Sequence, residues 1–164
     1  MINDISGGMA DDEMLSLMAE SEAAYIMMHM QGTPQTMQDN PHYDDVTADV
    51  TSFFATQLLD LQYRGKQNII LDPGFGFGKT LQHNYTLLNN LSLFKDRFGL
   101  PVLVGISRKS MIYKPLNISA TEALNGSTVV NTLALLKGAD ILRVHDVKPA
   151  VQAIKLVSIA QQSL

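Results

Sequence analysis

Short apolar runs alternate with longer amphipathic stretches along this chain. Runs at 24–28, 69–71, 102–106 and 141–144 are bounded by Gly, Pro or polar residues and predict short strands. Between them, apolar positions step by three or four, as on one face of a helix. Val46, Val50, Phe53, Phe54, Leu58 and Leu61 do so up to Gly65, a helix-ending residue. Tyr85, Leu88, Leu91, Phe94 and Phe98 do so up to Gly99, which predicts one helix. Ser119-Ala120-Thr121-Glu122 is a capping box and predicts a helix running to about 137–138. Asp146 is expected to cap the last helix, with Pro149 in its first turn, where a missing N–H is tolerated. A shorter helix is expected over 11–20, and 29–44, rich in Met, Gln, Pro and His, reads as a long loop. Alternation without hairpin turns predicts an α/β fold with parallel strands and right-handed crossovers. Near the start, Asn3-Asp4-Ile5-Ser6-Gly7-Gly8 reads as the polar end of a further strand and its loop. The expectation is a single domain over 1–164, five strands in all, lacking the N-terminal part of a larger unit.

Composition narrows the function. With 46% hydrophobic and 17% charged residues, the chain is neither a disordered tail nor a coiled coil. Lys and Arg number 12 against 16 Asp and Glu, a net charge of −4, so there is no general attraction to nucleic acid or anionic membrane. Any anion site must be local. The absence of Cys excludes disulfides, thiolate zinc sites and Cys catalysis. Neither a transmembrane run nor a signal-peptide pattern is present, and a cytoplasmic protein is expected. His29, His42, His83 and His145 lack metal-binding spacing.

Every predicted strand ends in polar side chains: Asn3 and Asp4; His29; Asp72; Ser107, Arg108 and Lys109; Arg143, His145 and Asp146. In parallel α/β folds, sites form at the carboxyl ends of strands. Loop polarity explains any one of these residues. Together, with acid and amide on one part and cations on another, they point to a shared polar ligand. Arg143 and His145 are two apart and share a strand face. Such a cationic pair calls for an anion, or for a neighbouring carboxylate. The segment from Asp72 to Thr80 holds three glycines in five positions, which lets the backbone approach a ligand or take φ > 0. Its Phe75 and Phe77 are expected at the surface, packing on an aromatic ligand or closing the top of a barrel. Gly78-Lys79-Thr80 has the ending of a P-loop, but Pro73 stands where the first Gly belongs and Asp72 would repel phosphate.

These residues carry a resemblance. IND near the start, MHMQGTP at 28–34, LDPGFGFGK at 71–79, GISRKSMI at 105–112 and RVHDV at 143–147 resemble the dihydropteroate synthase family, in order and spacing, over essentially the whole chain. The family fold is a TIM (β/α)8 barrel. The resemblance implies an α/β partial barrel here, with five parallel strands, strands four to eight of the family fold, and flanking helices. It implies a transferase of folate biosynthesis that joins 7,8-dihydropterin-6-ylmethyl diphosphate to 4-aminobenzoate and releases diphosphate, in a family targeted by sulfonamides.

Site roles follow from the resemblance residue by residue. Asn3, Met28, Asp72, Gly105 and Lys109 resemble the pterin site: Asn3 and Asp72 read the donor edge, Met28 packs on the ring, Gly105 leaves room and Lys109 reaches its acceptors. Arg143 and His145 resemble the diphosphate clamp, helped by the N-terminus of the last helix. Phe77 and Ser107, with the stem of Lys109, resemble the aminobenzoate pocket. Asp72, Lys109 and Arg143 are the expected catalytic residues. Mg2+ is implied with the diphosphate, although the family's metal-linked Asn has no counterpart here and no metal ligand is expected in this chain. The first three strands of the family barrel have no counterpart either, so the chain alone is expected to be inactive or nearly so. A homodimer is implied by resemblance, with no nucleic-acid or membrane partner. The alternatives are an inactive pterin- or anion-binding fragment and a P-loop nucleotide hydrolase.

Overall fold

The computed structural model describes residues 1–163; Leu164, the last residue of the expected domain, lies outside them. The element order is β1 (Ile2–Asp4), α1 (Met14–Glu20), β2 (Tyr25–Met28), α2 (Val46–Tyr63), β3 (Ile69–Asp72), α3 (Leu81–Asn89), α4 (Ser92–Phe98), β4 (Leu103–Val104), α5 (Ser110–Leu116), α6 (Leu124–Leu136), β5 (Ile141–Leu142) and α7 (Val147–Gln162). All strand pairs are parallel. Instead of one continuous sheet, the strands form a three-stranded sheet, β1-β2-β3, and a two-stranded sheet, β4-β5. A single bridge, Leu71 to Val102, joins them, with the Leu71 N–H donating to the Pro101 carbonyl at 2.9 Å. Pro101 lacks an N–H, and Gly105 follows β4 at once, so regular pairing is short there.

Strand alternation gives the sheets two faces. Tyr25, Met27, Ile69, Leu71, Val102 and Val104 belong to the main core, shared with helix residues Phe54, Leu58, Leu87 and Phe94. Ile26, Ile70 and Leu103, with Ile141 packed against them, form a second and smaller apolar cluster. The register aligns Asn3 with Ile26, Ile26 with Ile70, and Met28 with Asp72. Asn3, Met28 and Asp72 therefore share the face of the small cluster. Gly105, Ser107, Arg143 and His145 continue the parity of Leu103 and Ile141 beyond the regular strands.

Helix α2 follows the predicted stripe: Val46, Val50, Phe54, Leu58 and Leu61 are buried. Asp45 caps it, accepting from the N–H groups of Thr47 and Ala48. The predicted helix through Tyr85–Phe98 is two helices, α3 and α4, separated at Asn90 and Leu91. The Asn90 side chain turns back to the Thr86 carbonyl at 3.0 Å, while Leu91 keeps helical angles, so the apolar spacing runs through the break. The capping box at Ser119 and Glu122 is present, but it opens a single 3-10 turn ahead of α6. Helix α5 was not predicted. It is seven residues long with Pro115 inside it, too short for a periodic pattern. Asp146 stands at the N-cap position of α7, but its carboxylate makes no cap hydrogen bond.

Candidate functional site

Asp72 closes β3 and is 1% exposed. Its Oδ1 accepts from the Gly74 N–H at 2.8 Å. Burial raises its pKa; that hydrogen bond and the cations Lys109, Arg143 and Lys79 pull the other way without cancelling the rise. Lys109 stands across from it on the β4–α5 turn. Its Nζ donates to the Phe75 carbonyl and lies 4.6 Å from the centroid of the half-buried Phe77 ring. Burial pulls the Lys109 pKa down to about 8, Arg143 adds to the fall and Asp72 opposes it.

Beside these residues, Gly105, Ser107, Lys109, Arg143, Val144 and His145 line a cleft of about 390 Å3. A side chain at Gly105 would meet the Arg143 guanidinium at 3.1 Å, so the room that glycine leaves is taken by Arg143. Arg143 and His145 are both exposed. Ser107 is buried, and its Oγ accepts from the His145 backbone N–H at 3.3 Å and lies 3.2 Å from His145 Nδ1. Ser107 is thus tied to His145, one of the two expected anion-clamp residues. No carboxylate ion-pairs with Arg143 among the described residues.

The Gly-rich loop is built differently from its expectation. Gly74, Gly76 and Gly78 all have positive φ. A Cβ on Gly74 would fall 1.8 Å from the His29 carbonyl oxygen, and one on Gly78 would fall 2.3 Å from that of Gln31. These two glycines admit the backbone of the neighbouring 29–43 loop, not a ligand. Phe75, expected at the surface, is fully buried in the main core. Lys79, the basis of the P-loop alternative, is 3% exposed. Its Nζ donates to the carbonyls of Gly74 (3.1 Å) and Phe77 (3.0 Å) and lies 2.9 Å from His29 Nδ1. An ammonium bound in this way is a strut inside the loop and cannot reach a nucleotide phosphate. Burial lowers its pKa to about 7, and burial with the nearby Lys79 charge lowers that of His29 to about 3.

Asp4 separates from the site, because its parity is that of Tyr25 and Met27. It accepts from the Ser6 hydroxyl (2.7 Å), the Tyr25 hydroxyl (2.7 Å), Ser6 N (2.8 Å) and Gly8 N (2.6 Å), tying down the loop after β1. Burial works to raise its pKa, and these bonds together hold it below the usual value. Asn3 is exposed on the edge strand, and Met28 is fully buried beside Gly74. Sequence reasoning overlooked Lys79 as a strut, and also Asn84, Tyr43 and Gln38. Asn84 Oδ1 accepts from Gly76 N at 2.7 Å, the Tyr43 hydroxyl donates to Gly78 O at 2.8 Å, and Gln38 donates to Gly76 O at 2.7 Å. Asn84 had a signal: it occupies the buried stripe of α3 with Leu87 and Leu88, where a polar residue needs a partner.

The side chains gathered here do not fit a magnesium ion. Among the described residues no three His, Asp or Glu groups cluster to hold a metal, and the one acid of the site lies among cations. Also among the described residues, no helix is long and apolar enough to cross a membrane.

Comparison with known proteins gives this geometry a lineage. Residues 1–145 match the family described as pterin binding enzyme. Dihydropteroate synthase of Escherichia coli K12 is 47% identical over 159 residues, which are 96% of this chain and 56% of that protein. The Synechocystis enzyme of the same name is 43% identical over 95% of this chain and 55% of its own length. A crystal structure of Yersinia pestis dihydropteroate synthase with a sulfonamide drug complex superposes with a TM-score of 0.93 at 41% identity, covering 98% of this chain and 58% of that one. The chain spans little more than half the length of these relatives, and its α/β fold is theirs over that span. By sequence and by structure, the chain belongs to the pterin-binding enzyme family.

Proposed function

We propose that the chain carries strands four to eight of a dihydropteroate synthase barrel. In this reading, the whole enzyme is a cytoplasmic transferase joining 7,8-dihydropterin-6-ylmethyl diphosphate to 4-aminobenzoate. One observation carries the proposal: Asp72 ends β3 on the face of the small apolar cluster, Gly105, Ser107, Arg143 and His145 keep the parity of that face beyond β4 and β5, and Lys109 stands beside them. In this reading the acid serves the pterin end of that substrate, and Arg143 and His145 serve its diphosphate end. Asp72 accepts the pterin's ring N–H and amino donors as a paired, charge-assisted contact, and Asn3 extends the set from β1. Met28 borders the ring, Gly105 makes room for the Arg143 guanidinium, and Lys109 donates to the ring's acceptor atoms. Arg143 and His145 bind the diphosphate. Phe77 and the stem of Lys109 wall the aminobenzoate site, with Ser107 at its polar end.

When the C–O bond to diphosphate breaks, positive charge develops on the pterin methylene. Buried Asp72 stabilises that charge, and Arg143 and His145 stabilise the departing diphosphate. The neutral arylamine forms the new C–N bond and releases its proton to water, so no strong base is required. No step is assigned to magnesium.

Arg143→Gln tests the assignment. Pyrophosphate affinity, measured by calorimetry, is expected to fall by more than about tenfold, as for a lost charge-assisted contact. Affinity for a pterin without the diphosphate is expected to change little. Equal loss for both ligands would contradict the division of the site.

A further inference from the structure

The two loops that carry the anion site are held together by a residue that does not face it. Arg108 lies between Ser107 and Lys109 at φ 55°, a left-handed conformation rare for a residue with a side chain. Its backbone N–H donates to Ser127 Oγ at 2.9 Å. Its guanidinium forks onto Asp146, Nε to Oδ2 at 2.8 Å and Nη2 to Oδ1 at 2.9 Å. Nη1 donates to the carbonyls of Ala120 (3.0 Å) and Thr121 (2.7 Å). With four of its five guanidinium N–H groups so engaged, Arg108 is committed to these contacts and does not line the cleft. It joins the turn after β4 to the residue that follows His145 and to the turn ahead of α6.

A second consequence concerns α7. Asp146 occupies the N-cap position, yet its carboxylate makes no hydrogen bond to the helix because Arg108 holds both oxygens. The Lys148 N–H, at the second helical position, is thus free of the acid that would ordinarily satisfy it, and Pro149 at the third has no N–H.

We propose that Arg108 is a positioning residue for the anion site: through Asp146 it fixes Ser107 and Lys109 relative to Arg143 and His145, and it withdraws the Asp146 carboxylate from the N-terminus of α7 so that an anion can be accepted there. This rests on the reading of Arg143 and His145 as an anion clamp. Arg108→Lys keeps the charge and loses the fork. Asp146→Asn keeps the shape and removes a negative charge.

The test is pyrophosphate binding by calorimetry on the full 164-residue chain, with melting temperature measured alongside. Both variants are expected to bind more weakly, by roughly tenfold to a hundredfold, as when outer partners that orient a site are removed. The double variant is expected to lose little more than either single one, since the pair acts as a unit. The result for Asp146→Asn separates positioning from simple electrostatics: loss of an acid near an anion site should otherwise strengthen binding. Asp60→Asn, which breaks the exposed Arg64–Asp60 pair on α2, is expected to leave binding unchanged. If wild type binds pyrophosphate and Asp146→Asn binds it equally or better, the positioning role is overturned while the clamp stands. If wild type does not bind, the clamp fails and the positioning role with it. Should the variants not fold, the wild-type protein decides: added pyrophosphate is expected to shift the Val147 and Lys148 amide resonances, and unmoved resonances would overturn the proposal.

Discussion

Gly74 has φ 71°, and the His29 carbonyl occupies the place where a Cβ would go. Gly99 has φ 64° with nothing near that place. Alanine at Gly99 therefore meets only left-handed strain, about 1–2 kcal/mol. Alanine at Gly74 adds a backbone collision that only movement of the 29–43 loop can relieve, so its cost is expected to exceed that of Gly99→Ala by about 2 kcal/mol or more. Urea melts of the two variants check the contrast. Asp72 carries a separate prediction, about ligand. Asp72→Ala is expected to lose two charge-assisted hydrogen bonds to a pterin, each roughly 1.5–3 kcal/mol. Burial raises the Asp72 pKa, so in wild type pterin affinity should decline as pH falls through that raised value, where the acceptor carboxylate becomes protonated. Asp72→Asn should abolish that limb of the pH profile, as read by calorimetry at several pH values.

At the scale of elements, the Gly-rich loop and the loop after β2 form one unit closed over Lys79. The ammonium titrates near 7 in the folded chain against 10.5 for a free lysine. Between those values the unfolded chain holds a proton that the folded chain has released. Stability from this group therefore rises with pH across the window, at most about 1.4 kcal/mol per pH unit. Lys79→Met should flatten the rise, leaving the part due to Lys109, near 8. His29, held near 3 against 6.5, acts over a lower window: it too releases a proton on folding, so stability is lost as pH falls from about 6.5 to 3. Denaturant melts across pH test both limbs. This unit was only partly legible in the sequence. The glycines, the strand before them and the helix after them could be read locally. Their partners His29, Gln31 and Tyr43 lie 35 to 50 positions away, beyond the reach of periodicity. The break at Asn90 was hidden because Leu91 keeps both the spacing and the helical angles, whereas the shared face of Arg143 and His145 followed from strand parity alone. The sequence shows Asp146 at the N-cap position but not the distant Arg108 that takes its carboxylate.

At the scale of the whole molecule, the sheets end in unpaired edges. Among the described residues, β1 pairs only with β2, and β5 only with β4. Ile2 and Ile5 are each 37% exposed at the first edge. Beyond the other edge, Val147, Val151 and Ile154 of α7 also face solvent. In the proposed barrel, three further strands would lie between these edges. Closure of eight parallel strands couples strand number, tilt and shear, so five strands cannot reach that geometry by adjusting among themselves. Free backbone groups beside exposed apolar side chains favour pairing with another chain. The 164-residue chain is therefore expected to elute in gel filtration above its monomer mass of 18.0 kDa, with a loading-dependent profile. Its turnover of pterin diphosphate and 4-aminobenzoate is expected to be close to the uncatalysed rate. Binding should survive better than turnover, because Asp72, Lys109, Arg143 and His145 are all held by elements within the chain, whereas Asn3 stands exposed on an edge strand. Gel filtration, a turnover assay and pyrophosphate calorimetry on the same preparation check these expectations. A monomer with turnover equal to that of the longer relatives would show that the open edges are harmless and that the catalytic set is complete without further strands.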